Sequence, residues 1–117
     1  MQNFCIAYKN ILSRHELFAT GSTGMAIEDV VNLHVNKFLS GDLGGEHQMA
    51  SMVEANEIDA VFFFREPGSV QGFDTSFTKV YQACDTHNIP LATNLATAEI
   101  LVLAIDNGDL DWRNAYK

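Results

Sequence analysis

Apolar residues fall along this chain in two kinds of pattern. Short, nearly continuous runs occur at Phe4–Tyr8, Leu17–Thr20, Val35–Leu39, Ile58–Phe64 and Pro90–Thr93, and such runs predict strands of a sheet covered on both faces. The clearest is Ile58–Phe64, which holds the unbroken apolar stretch Ala60–Phe64. Between the runs, apolar residues recur at helical spacing over Thr23–Asn32, Glu46–Asn56, Ser76–His87 and Thr97–Asn107. In the second of these, Met49, Met52 and Val53 share a face while Glu54 and Glu57 turn away. Alternating strand and helix predict an α/β protein with three layers, α/β/α, around a mostly parallel five-stranded sheet with right-handed crossovers. Ligands of such sheets bind beyond the carboxyl ends of the strands.

One connection is anomalous. Only Lys9–Glu16 separates the first two runs, whereas a parallel crossover takes about a dozen residues or more. Two readings stay open: the first strand pairs antiparallel, or its covering helix is reduced to about one turn. The second would leave an apolar sheet face bare, as at a subunit interface.

There is no repeat, low-complexity stretch or Pro/Ser linker, so residues 1–117 read as a single domain, and a hydrophobic fraction of 47% is ample for its core. The longest apolar run is far below the roughly 18 residues of a membrane span, and the amino terminus lacks the layout of a signal peptide. These features predict a cytoplasmic protein with no membrane partner. Cys5 and Cys84 show no Cys-x-x-Cys spacing and read as buried free thiols, with no metal site expected. A net charge of −8 argues against a nucleic acid polymer as partner. It leaves room for one small anion, because the N–H groups of a helix start bind phosphate with little help from basic side chains.

Four segments carry candidate chemistry. Ala19-Thr20-Gly21-Ser22-Thr23-Gly24 lies between a strand and a helix; its glycines allow a sharp turn, and Ser22 and Thr23 offer hydroxyl donors. An ordinary helix cap explains the same hexapeptide equally well. Leu39-Ser40-Gly41-Asp42-Leu43-Gly44-Gly45-Glu46 occupies the next strand-to-helix junction, and Ser40 and Gly41 would meet the same anion if the two strands are neighbours. Glu46 there either complements the helix dipole or acts as a general base. In Phe62-Phe63-Phe64-Arg65-Glu66-Pro67 a buried strand ends in charge. Glu66 is favoured over Arg65 for a role at the ligand edge. Finally, Asn88-Ile89-Pro90-Leu91-Ala92-Thr93-Asn94 delivers Thr93 and Asn94 to that edge, where capping of the last helix accounts for much of the pattern.

In order and spacing these four segments resemble the methylglyoxal synthase family and its wider superfamily, which includes the allosteric domain of carbamoyl phosphate synthetase and the IMP cyclohydrolase domain. The resemblance runs from about Leu17 to about Ile100. It implies a reaction from dihydroxyacetone phosphate to methylglyoxal and inorganic phosphate, without metal or organic cofactor, in a homo-oligomer, by resemblance a hexamer. It further implies that Thr20, Gly21, Ser22, Thr23, Ser40 and Gly41 form the phosphate pocket. The catalytic aspartate of the enzymes falls on Glu46 and a second active-site aspartate on Glu66. An added methylene that misplaces a base by about an ångström costs on the order of 100-fold in rate. A substrate-contacting histidine of the enzymes falls on Phe73, which donates no hydrogen bond but stacks on flat rings, and a nearby aspartate falls on Ser76. Tyr8 takes the place of an amino-terminal histidine, Lys9 is the nearby cation, and Arg113 stands near the late arginine that a neighbouring subunit supplies. A kept anion pocket beside an altered centre implies binding of a phosphorylated small molecule or nucleotide, sequestered or sensed, with little or no turnover. The alternative is a methylglyoxal synthase with Glu46 as base.

Overall fold

In the computed structural model, residues 2–39, 44–64 and 75–116 are described. The chain opens as helix, α1 (Gln2–Ala7) and α2 (Lys9–Leu12), where a first strand is expected from the sequence. The reason lies in spacing: Phe4, Cys5 and Leu12 are buried together, with Tyr8 and Ile11 beside them, and these positions form one helical stripe. Hydrogen bonds from Tyr8 N to Phe4 O and from Leu12 N to Tyr8 O, each 3.0 Å, carry the helical pattern across the break. A five-residue apolar run suits a strand or a buried helical turn equally well, and here burial of a stripe decides. The short connection is thereby explained, because α1 and α2 are themselves the covering helix, and the expected bare sheet face is occupied by Phe4 and Leu12.

The remaining elements follow the predicted alternation. They are β1 (Phe18–Thr20), α3 (Gly21–Val31), β2 (Asn36–Phe38), α4 (Gly45–Glu54), β3 (Val61–Phe62), α5 (Thr75–His87), β4 (Leu91–Ala92) and α6 (Leu95–Asp106), followed by a 3-10 helix (Asp111–Tyr116). β1 pairs parallel with β2, Phe18 opposite Asn36 and Thr20 opposite Phe38. β3 pairs parallel with β4, Val61 opposite Leu91. Among the described residues there are thus four strands in two parallel pairs, in place of one five-stranded sheet.

Helices cover both sides. One core gathers Phe4, Leu12, Val31, Ala92, Ala98, Leu101 and Val102, from α1, α2, α3, β4 and α6. The other gathers Ala50 and Val53 of α4, Val80, Ala83 and Cys84 of α5, and Val61 and Ile89. Val53 and Val80 are fully buried, each burial contributing roughly 1.5–3 kcal/mol. α3, α4 and α5 are each followed by an asparagine in the left-handed region, Asn32, Asn56 and Asn88, the residue type besides glycine that tolerates this helix stop. From α3, Glu28 accepts bonds from Lys37 Nζ (2.7 Å) and Val35 N (3.1 Å), fixing where β2 begins. The Lys37 contact, then the Val35 N–H, holds the Glu28 carboxyl below its ordinary range. No described helix is long and apolar enough to cross a membrane.

Burial, with a smaller contribution from Asp85, pushes the Cys84 thiol up from 9.0 to about 11. The fold therefore prefers the protonated thiol, and its contribution to stability is fully present below about pH 9 and lost as pH rises toward 11. Two outcomes are expected: the native protein resists Ellman's reagent at Cys84 until it is unfolded, and chemical-denaturation midpoints fall between pH 9 and 11 by less in Cys84→Ala than in the parent.

Candidate active site

The parallel register of β1 and β2 decides where the first two sequence segments go. Thr20 and Phe38 end their strands side by side, and the Gly21 N–H points to the Leu39 carbonyl at 3.5 Å. Both chains therefore leave the sheet at one edge. α3 starts at Gly21 directly after the strand, and its N-cap Thr20 makes no side-chain cap; the Thr20 hydroxyl instead donates to Thr23 Oγ1 at 3.3 Å. α4 starts at Gly45 after Gly44, which has φ 99° and no side chain with which to cap. Glycine suits that left-handed turn, and nothing lies within 4 Å of where its Cβ would be. From α4, Gln48 Oε1 accepts the Leu39 N–H at 2.7 Å, tying the helix to the exit of β2.

Two helix starts with no side-chain cap from their N-cap residues thus converge on one sheet edge. A helix start leaves N–H groups without intrahelical partners, and its dipole favours an anion by about 0.3–1 kcal/mol, up to about 2 where partly buried. α6 gives the contrast. Its N-cap Asn94 accepts the Thr97 N–H at 2.9 Å and the Thr97 hydroxyl at 3.1 Å, so the segment that reads as a cap in the sequence is one. Thr93 is half-buried just before it and lines a groove of about 590 Å³ beside β4, with Tyr81 and Trp112. A cleft of about 290 Å³ at the opposite, amino-terminal end of β1 and β2 is bordered by His15, Glu16, His34 and Asn36. It does not touch the Thr20 loop. Among the described residues no three His, Cys, Asp or Glu side chains group as metal ligands.

Charge at the edge comes from an unexpected direction. Arg14, Lys37 and Arg113 are held by Asp106, Glu28 and Asp59. Lys79 on α5 instead reaches His47 Nδ1 on α4 at 3.3 Å, bringing an ammonium to the helix turn that contains Glu46. No sequence signal pairs residues this far apart; the packing of α4 on α5 creates the contact.

Comparison with known proteins agrees with this geometry. The model of the MGS-like domain matches residues 1–93. The methylglyoxal synthase of Caldicellulosiruptor saccharolyticus is 50% identical over 113 residues, 97% of this chain and 80% of the relative. That of Clostridioides difficile is 44% identical over 117 residues, 100% of this chain and 85% of the relative. The crystal structure of the methylglyoxal synthase from Elizabethkingia anophelis superposes with a TM-score of 0.79 at 34% identity, covering 86% of this chain and 66% of that one.

The chain belongs to the methylglyoxal synthase-like family.

Against that family's expected site, the structure brings together Thr20, Gly21 and Thr23 with the start of α4. Ser40, Gly41, Glu66 and Phe73 lie outside the described residues, as do the side chains of Ser22, Glu46 and Ser76. Lys9 is exposed at the start of α2. Within its own chain Arg113 is held away from the Thr20 loop by other partners. It is only 4% exposed, and its guanidinium donates to Asp59 Oδ1 (2.9 Å), Asn56 Oδ1 (2.9 Å) and the Asn88 carbonyl (3.3 Å). Those partners precede β3 and β4, at the amino-terminal end of that strand pair. A guanidinium held there braces the residues that follow α4 and α5.

Two substitutions separate the roles. Arg113→Met is expected to lower unfolding stability by about 2–3 kcal/mol, since charged hydrogen bonds to a buried group are lost, while inorganic phosphate binding by calorimetry stays unchanged. Thr20→Val is expected to weaken phosphate binding about tenfold, the cost of one hydroxyl contact of about 1.4 kcal/mol, with little change in the denaturation midpoint.

Proposed function

We propose that this chain carries out the methylglyoxal synthase reaction, eliminating phosphate from dihydroxyacetone phosphate, with Glu46 as the general base. The observation that carries the reading is identity of 43–50% to methylglyoxal synthases over 97–100% of the chain. Such likeness favours turnover over the binding-only role that the altered residues suggest by themselves.

The phosphate sits against the starts of α3 and α4, where N–H groups and hydroxyls of the Thr20 and Ser40 loops bind its oxygens. Glu46, the second residue of α4, removes a proton from the hydroxymethyl carbon, and the carbonyl oxygen gains charge as the enediolate forms. Electrons of the new double bond then expel phosphate by breaking its bond to the other methylene carbon. The product enol tautomerises to methylglyoxal. Lys79, held on α4 through His47, supplies positive charge to an edge otherwise served by backbone dipoles. Glu66 is a second carboxylate for proton handling. Thr93 lies at the rim. The homo-oligomer implied by the resemblance has a surface to use, since Leu95, Ile100 and Leu103 lie exposed along α6.

Phe73, standing where the enzymes carry a histidine, favours a second reading in which a phosphorylated metabolite or nucleotide is bound without turnover. Release of phosphate and methylglyoxal from dihydroxyacetone phosphate distinguishes them. Turnover is expected in the parent and a fall of 10²–10⁴-fold, roughly the worth of a positioned base, in Glu46→Gln. Absence of parental turnover, together with a thermal shift on adding the same compound, would establish the binding reading instead.

A further inference from the structure

The proposed reaction needs a donor that a phosphate pocket does not supply. As a proton leaves the hydroxymethyl carbon, negative charge develops on the carbonyl oxygen, and a fixed N–H or O–H aimed there acts most strongly in the transition state. The hydroxyls and helix starts described above serve the phosphate oxygens in that reading. Phe73 has no hydrogen to donate.

One side chain beside the base has such a hydrogen. His47 is the third residue of α4, directly after Glu46, and it is exposed. Helical side chains lean toward the start of their helix, here toward the shared edge. Gln48, one residue further on, reaches back to the Leu39 N–H at the exit of β2. Ala50 and Val53 share a core with Val80, Ala83 and Cys84, which fixes α4 beside α5, and Lys79, about one turn into α5, meets His47 Nδ1 at 3.3 Å. An ammonium has hydrogens to give and no lone pair. Nδ1 therefore accepts, the ring is neutral, and its proton sits on Nε2, on the far side of the ring from Lys79. The same contact sets the ring against the opening turns of α5, a helix that begins two residues after position 73.

We propose that His47 is a further catalytic residue, its Nε2–H donating to the substrate oxygen that gains charge, and that Lys79 is the positioning residue that holds the ring in this tautomer. A neutral imidazole suits the task, because it polarises a carbonyl as a hydrogen-bond donor. Lys79 then acts twice, through its charge at the edge and through the ring it orients. The inference rests on the proposed reaction and names the group that serves it where Phe73 cannot.

Calorimetric binding of inorganic phosphate and of 2-phosphoglycolate to the full chain tests it without requiring turnover. Phosphate reports the anion pocket alone, and the planar carboxylate of phosphoglycolate stands for the enediolate oxygens. His47→Phe is expected to weaken phosphoglycolate binding about tenfold while phosphate binding changes less than about twofold, and His47→Gln, which keeps an N–H donor, to recover most of the loss. Nitrogen chemical shifts of the imidazole are expected to show the Nε2–H tautomer in the parent and a mixture of tautomers in Lys79→Met. The proposal is overturned if both ligands lose affinity equally, if neither does, if the parent binds neither, or if the ring proton lies on Nδ1. Selective loss of phosphoglycolate in His47→Phe, with no parental turnover of dihydroxyacetone phosphate, would keep the contact and overturn the reaction. Parental turnover with phosphoglycolate binding intact in His47→Phe would do the reverse.

Discussion

The site rests on one pairing, β1 against β2, parallel and in the register that sets Thr20 opposite Phe38. A slip of one residue would turn every side chain of a strand to the other face and carry Gly21 and Gly45 out of line. The register is held from outside the ladder as well as within it. Glu28 clamps Val35 and Lys37 before and within β2, Gln48 clamps Leu39 after it, and the Asn36 side chain returns a bond to the Leu17 carbonyl at 3.0 Å. Packing then sets α3 and α4 on opposite faces with their starts at a common edge.

From this follows how an acidic chain would hold the proposed phosphate. Three of its described cations are spent on carboxylates, and in the proposed function the phosphate relies instead on oriented backbone groups that cost no net charge and little entropy to arrange. The division of labour is visible in the caps. Where a helix start faces the proposed anion, the N-cap offers no side chain to the N–H groups; where it does not, Asn94 takes them up.

Most of this order was legible in the residues. Apolar spacing located α3, α5 and α6 to within about two residues, and the glycine-rich junctions located the loop exits. Phe4–Tyr8 misled because five apolar residues fit either a strand or a helical stripe, and the choice depends on Leu12 and Phe62, one beyond the run and the other distant in sequence. The bracing contacts of Arg113 were hidden for a related reason. Its partners Asn56, Asp59 and Asn88 lie 25–57 residues away, and nothing local marks it as a brace. The Lys79–His47 contact likewise exists only after α4 and α5 pack.

Titration of isotope-labelled protein with inorganic phosphate, followed through backbone amide shifts, tests the shared edge most directly. The account predicts that amides of Gly21–Gly24 and of Gly44–His47 move together along one saturation curve with a single Kd. Movement of only one group, two unrelated affinities, or no response at either helix start would contradict it.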